Sequence, residues 1–291
     1  MPELPEVETI VRHLCTARLG GQVIRRASVH WAKTVAPHSP AGFARQIRNS
    51  RIETIARRAK YIVMTLADGR SLIIHLRMTG HLDILPPQTP PRRSDRMILE
   101  LADGRQLHFE DARKFGRVWL TRNSDQILSK LGPEPLTLRV ADFRRRLHGR
   151  TQQLKPLLLD QHFIAGIGNI YADEALWHAQ LHPRRRADTL SPQQVAALYE
   201  AIRVVLRRGI RNLGTTLGGG TTHFVLPQGE RGRNQEKLNA YGQTGLPCTR
   251  CGAKIRRLVV NGRATHICPA CQRAPRRDSR RGRIALRVKT G

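Results

Sequence analysis

Between residues 5 and 19, Val7, Ile10, Val11, Leu14 and Ala17 recur at three- and four-residue spacings, which predicts a helix with one buried face. Pro5 suits its first turn, and Gly20-Gly21 supplies its stop. The period then shortens. The runs "RIETIA", "YIVMTL", "SLIIHL", "RMILEL", "QLHFED" and "RVWLT" read as short strands. "ADGR" occurs at 67–70 and again at 102–105, each time between two such runs, which predicts two hairpins closed by Asp-Gly turns. At 131–136, "LGPEPL" breaks the periodicity and reads as a linker. From about 137 to 223 the pattern turns helical in "ADFRRRLHG", "KPLLLD", "YADEALWHAQL" and "SPQQVAALYEAIRVVLRRGI". In the last of these, Ser191 is a good N-cap and Pro192 a good first helical residue. Residues 214–234 form a long, polar, Gly-rich loop of the kind that carries function.

Composition adds a strong constraint. The 291 residues hold 51 Lys and Arg against 22 Asp and Glu, a formal net charge of +29. Such an excess points to a polyanionic partner, nucleic acid first, and the dominance of arginine suits bidentate phosphate contact. No apolar run is long enough to span a bilayer, and the acidic start is unlike a signal peptide, so a cytoplasmic protein without a membrane partner is expected. The lone Cys15, inside a helical pattern, is expected in the core.

The other four cysteines carry the sharpest motif. Cys248, Cys251, Cys268 and Cys271 are spaced C-x2-C-x16-C-x2-C, which fits one structural zinc held by four thiolates. Between the pairs, "AKIRRLVVNGRATHI" predicts a hairpin turning at Asn261-Gly262, with Arg263 placed to reach a phosphate. Two disulfides are the alternative, disfavoured by a reducing compartment. In "GIGN", two glycines and Asn169 precede a helix, where backbone N–H groups make an anion site or simply a tight corner. Met78, Arg113 and Phe115 sit at the ends of strand-like runs. An apolar wedge with an arginine is what fills a gap in a base stack, although taken alone Met78 and Phe115 read first as core residues.

Taken together, "PELPEVETIVRHL", "RRAKY", "HLRMTG", "DARKFGR", "LLDQHFIAGIGNIYADEALW" and "GRATHICPACQ" resemble, in order and over nearly the whole chain, the formamidopyrimidine-DNA glycosylases. The resemblance implies an α+β protein: an N-terminal β-sandwich with flanking helices, then a helix–two-turn–helix domain with a C-terminal β-hairpin zinc finger. It implies excision of oxidised purines from double-stranded DNA, 8-oxoguanine and formamidopyrimidines, followed by strand cleavage at the abasic site. By the same resemblance Pro2, once Met1 is removed, is the amine that attacks the sugar, and Glu3 is its acid/base. Glu6 supports the site, and Lys60 binds a phosphate near the lesion. Met78, Arg113 and Phe115 fill the void left by the flipped base. Asn169 and Arg263 hold phosphates. Glu8 is expected to be structural.

The expected division is 1–132 catalytic sandwich, 133–238 helical domain with the lesion-covering loop, 239–275 zinc finger and 276–291 basic tail. A monomer acting at the bacterial nucleoid is expected. Two rival readings are an endonuclease VIII-like enzyme for oxidised pyrimidines and a non-catalytic zinc-finger DNA-binding protein. The "PELPEVE" start with the Met78, Arg113 and Phe115 trio weighs against the first, and the retained Pro2, Glu3 and Lys60 against the second.

Overall fold

The computed structural model describes residues 1–218 and 229–275. The first helix, α1 (Leu4–Thr16), buries Val7, Ile10, Val11 and Leu14 as its period requires. Cys15 is the exception to expectation. It is exposed, because it follows the inward-facing Leu14 by one residue and so lies a third of a turn off the buried face.

Six of the eight strands that follow coincide with the apolar runs: β2 (Ser50–Arg58), β3 (Tyr61–Leu66), β4 (Ser71–His75), β6 (Asp95–Leu101), β7 (Gln106–Asp111) and β8 (Arg117–Thr121). The pattern did not reveal β1 (Val23–Val29) and β5 (Gly80–Leu85). In β1 a register shift between Ile24 and Arg26 breaks the alternation of apolar and polar residues. All pairings are antiparallel, in the order β5-β7-β6-β1-β2-β3-β4-β8. Only Val23↔Arg51 and Ile24↔Ser50 join β1 to β2, so the sheet hinges there into two four-stranded halves. Ile24, Leu82, Leu99 and Phe109 of one half meet Ile52, Met64, Leu72 and Val118 of the other in one core, closed by α1 and by α2 (Pro40–Ile47).

Both "ADGR" turns form, with Gly69 at φ +79° and Gly104 at φ +89°. Each is built alike. Asp68 takes the Arg70 N–H at 3.0 Å, and Asp103 takes the Arg105 N–H at 3.0 Å. Each arginine then reaches out to a helix end, Arg70 to the Gln46 carbonyl and Arg105 to the Ala17 carbonyl, both at 2.7 Å. Carbonyls there lack intrahelical partners, and a cation is favoured at that end of the helix dipole.

After a short α3 (Asp125–Leu128), the linker is clamped rather than loose. Glu134 accepts from Arg57 Nη1 at 2.8 Å, Arg58 Nη1 at 3.1 Å and the Ala59 N–H at 2.5 Å. The helices α4 (Val140–Leu147), α5 (Leu154–Leu159), α6 (Asn169–His178) and α7 (Pro192–Arg211) enclose a second core around Phe143, Leu158, Tyr171, Leu176 and Ile202. Leu4 of α1 belongs to this core too, so the amino end is anchored between the two halves of the molecule. A hairpin, β9 (Arg256–Val260) and β10 (Arg263–Ile267), follows, turning at Asn261 and Gly262, both in the left-handed region. The expected α+β architecture and its order hold. The basic tail 276–291 and the middle of the 214–234 loop lie outside the described residues.

Candidate active site and nucleic-acid interface

Behind an exposed Met1, the acids Glu3 and Glu6 of the amino end are buried between the two halves of the molecule. Glu3 is the N-cap of α1, and its carboxylate crosses to the N-terminus of α6. There it accepts the N–H groups of Gly168 at 2.7 Å, Ile170 at 2.9 Å and Tyr171 at 3.3 Å. The anion site expected at "GIGN" is therefore filled by the chain's own Glu3, and the helix dipole favours that charge. Gly168 is required at this contact, since a Cβ there would lie 2.4 Å from the Glu3 Cδ. Glu6 accepts the Glu3 N–H at 2.9 Å, the Tyr171 hydroxyl at 2.8 Å and the Thr215 N–H at 2.8 Å. Lys60 is buried beside them and donates to the Ile167 carbonyl at 2.9 Å.

Burial dominates the electrostatics of this cluster. It pushes Glu3 above the usual carboxylate range, against the pull of Lys60 and the three N–H donors. Burial, with the Glu3 charge adding to it, raises Glu6 to about 7. Lys60 and the terminal ammonium are both pushed down by burial, against Glu3 and Glu6. Carboxyls moved up and amines moved down approach one another, which lowers the cost of proton transfer between them.

Glu6 carries a consequence for stability. Its proton is held more tightly folded than unfolded, so this group costs nothing below the unfolded value near 4.5. Its cost then grows as pH rises, reaching a plateau of roughly 3 kcal/mol above about 7. The stability difference between wild type and Glu6→Gln should therefore shift in the variant's favour between pH 5 and 8. Denaturant melts at several pH values check this; a pH-independent difference would contradict it.

Two further groups of residues surround the cluster. Asn169 opens α6, and its Nδ2 donates to the Ala264 carbonyl at 3.1 Å, which ties α6 to the hairpin. Arg263 begins β10, close enough for its charge to depress both Lys60 and Lys155. Met78 and Phe115 project from the sandwich at 41% and 49% exposure, with the Arg113 guanidinium 5.0 Å above the Phe115 ring. The core alternative for Met78 and Phe115 is thereby excluded. Glu8 accepts from Arg12 and Arg57, each at 2.9 Å, in keeping with a structural role.

The sulfur atoms of Cys248, Cys251, Cys268 and Cys271 lie within 4.8 Å of one another. The Cys251–Cys268 and Cys251–Cys271 separations, 3.4 and 3.5 Å, are far beyond an S–S bond of about 2 Å. Four thiolates at about 2.3 Å from a tetrahedral zinc would stand about 3.8 Å apart, so this set fits the ion.

Residues 1–118 match the family model of the formamidopyrimidine-DNA glycosylase N-terminal domain, 131–219 its H2TH domain, and 245–274 a zinc finger found in FPG and IleRS. Formamidopyrimidine-DNA glycosylases of Protochlamydia amoebophila and Herpetosiphon aurantiacus are 45% and 46% identical, over 94% of this chain and 100% of theirs. The chain belongs to the formamidopyrimidine-DNA glycosylase family. Among solved structures, Lactococcus lactis Fpg with abasic-site DNA aligns at TM-score 0.85, and with Fapy-dG DNA at 0.84. Both are 35% identical and cover 94% of this chain and all of theirs.

Sequence reasoning missed the buried charges that hold this family's parts together here. Lys155 donates to Asp173 at 2.6 Å, and to the Ala264 carbonyl and Thr265 hydroxyl at 2.8 Å each. Asp173 also accepts the His266 N–H at 2.9 Å. Glu174 gathers the N–H groups of Asn239, Ala240 and Tyr241 and the Arg208 guanidinium. A signal existed: α6 is apolar on nearly all faces yet carries two adjacent acids, which are seldom buried without partners.

Proposed function

We propose that this chain is a bifunctional DNA glycosylase and AP lyase that removes oxidised purines, formamidopyrimidines and 8-oxoguanine, from duplex DNA and then cuts the strand. The single observation that carries the reading is the buried meeting of Glu3, Glu6 and Lys60 at the N-terminus of α6, next to the chain's own amino end. The substrate class is supported by the activity for which the relatives are named and by the lesion and abasic DNA bound to the solved ones.

Freed of Met1, Pro2 offers a secondary amine. It attacks the sugar C1′, the bond from C1′ to the damaged base breaks, and that electron pair leaves with the base, which takes up a proton. Glu3 handles protons as the sugar ring opens. The resulting iminium acidifies the C2′ proton, so β- and then δ-elimination release the two flanking phosphates. Lys60 balances phosphate charge near the lesion, and Asn169 and Arg263 hold further phosphates. Met78, Arg113 and Phe115 occupy the gap in the stack, offsetting the few kcal/mol of unstacking. A zinc ion on Cys248, Cys251, Cys268 and Cys271 would fix the hairpin that carries Arg263; it supplies structure, not chemistry. The working division is 1–132 for catalysis and wedge, 133–238 and 239–275 for the phosphate grip. Among the described residues no helix is long and apolar enough to cross a membrane. We place the monomer at the nucleoid in the cytoplasm.

Incubation with an 8-oxoguanine:cytosine duplex under borohydride should trap a covalent protein–DNA adduct. Cutting of a thymine glycol duplex alone would hand the reading to the pyrimidine enzyme. Binding of abasic DNA with no cutting of any duplex would overturn enzymatic function altogether.

A further inference from the structure

We propose that Asp111, acting with Thr79, is a positioning residue that locks the two loops bearing Met78, Arg113 and Phe115 into one stiff wedge. The inference rests on reading that trio as the filler of the base stack. Asp111 ends β7, opposite Gly80 at the start of β5, so the loops leaving the two strand ends lie side by side. Its carboxylate is buried and used on both oxygens. Oδ1 accepts the Thr79 hydroxyl and the Arg113 N–H at 3.2 Å, and Oδ2 accepts the Gly116 N–H at 2.6 Å. The Arg113 N–H also points at the Thr79 Oγ1, at 3.3 Å, which closes a triangle between the loops. Thr79 directly follows Met78, and the bonds to Arg113 and Gly116 bracket Phe115. The backbone of Asp111 is held as well, by Ser94 and by the Arg96 guanidinium at 2.7 Å.

Both loops are tight. Arg77 and Lys114 adopt left-handed φ of 56° and 60°, one in each loop. Neither Gly80 nor Gly116 has room for a Cβ, which would lie 2.3 Å from the Leu76 carbonyl oxygen or 2.4 Å from the Phe109 ring. The result inverts the usual burial order: a buried, hydrogen-bonded base carries large apolar tips into solvent. Side chains that must replace stacked bases transmit force only if their supports do not yield, and a buried carboxylate joining both loops provides that support.

The test compares single-turnover excision from two duplexes, with the lesion paired to cytosine or set opposite a one-nucleotide gap that needs no unpairing. Thr79→Val removes the hydroxyl at nearly constant shape. It should slow excision from the paired duplex on the order of tenfold to a hundredfold, stay near wild type on the gapped one, and leave affinity for undamaged duplex unchanged. Thr79→Ser should restore the paired rate. Asp111→Ala should show the same pattern more strongly, and melting curves report whether it folds. Equal loss on both duplexes, or none on either, overturns the inference. A wild type inactive on both duplexes overturns the glycosylase reading instead, and the inference with it.

Discussion

A chain that keeps Met1 on Pro2, or carries an acetyl group there, should form no borohydride-trapped adduct and cut no lesion duplex. An amide nitrogen has given its lone pair to the carbonyl and cannot attack C1′. Loss of a covalent nucleophile costs on the order of a millionfold in rate. A free α-amino group titrates near 8, and burial lowers the terminal ammonium of Met1 at this site; the same surroundings would favour the neutral, nucleophilic form of an amine on Pro2. Glu3→Gln is the companion test. Its amide would turn a donor toward the N–H groups of Gly168 and Tyr171 or of Ile170, and it could no longer take a proton. A fall of about 10² to 10⁴ in single-turnover rate is expected. In both cases affinity for abasic-site DNA should survive, because the residues proposed to grip phosphate lie on other segments. Cleavage by the blocked chain at the rate of the processed one would remove Pro2 from the mechanism.

The elements most legible in the sequence were those with uninterrupted periods and standard punctuation. Ser191-Pro192 announced the 20-residue α7, and the same Ser-Pro pair at 39–40 caps α2, where Ser39 accepts the Gly42 N–H at 3.1 Å. That helix escaped notice because its eight residues bury only Phe43 and Ile47, too few to establish a period. The cysteine spacing and the Asn261-Gly262 turn were equally plain, since each motif is local. The buried partners of Glu3 were not. Gly168, Ile170 and Tyr171 lie some 165 residues away in the chain, and no local pattern encodes which anion a helix N-terminus will receive.

The charge argument was correct in direction but incomplete. Several arginines that composition assigns to a polyanion are engaged within the protein. Arg58 donates to the Leu131 and Gly132 carbonyls, Arg146 to those of His162 and Phe163, and Arg57 bridges Glu8 and Glu134. A guanidinium suits such work because its planar fork satisfies several carbonyls at once. These arginines set the linker and the "QHFIAGIGN" loop in place and so position Glu3 and Asn169 indirectly. Net charge therefore measures electrostatic attraction to DNA, whereas the abundance of arginine overstates how many phosphates the protein grips.

Removal of zinc should separate grip from scaffold. A two-stranded hairpin is marginal by itself in water, and β9–β10 adds only a small core of Trp177, Ala240, Cys248, Ile255 and Cys268. Thiolate coordination of zinc supplies on the order of 10 kcal/mol of folding free energy in small fingers, so a chelator should unravel residues 245–274. The two larger cores do not include the hairpin and should stay folded. The site would nevertheless lose more than Arg263. Lys155 loses the Ala264 carbonyl and Thr265 hydroxyl, Asp173 loses His266, and Asn169 loses Ala264. Limited proteolysis should cut first in the finger while the main thermal transition persists. Affinity for lesion duplex should fall at least about a hundredfold, and the salt dependence of binding should flatten by about one unit of slope for each phosphate no longer gripped. Return of both quantities on adding zinc, but not magnesium, would tie the effect to the four cysteines. Unchanged affinity with a digested finger would mean that the DNA grip lies wholly in the helical core, and the role assigned to Arg263 would fall.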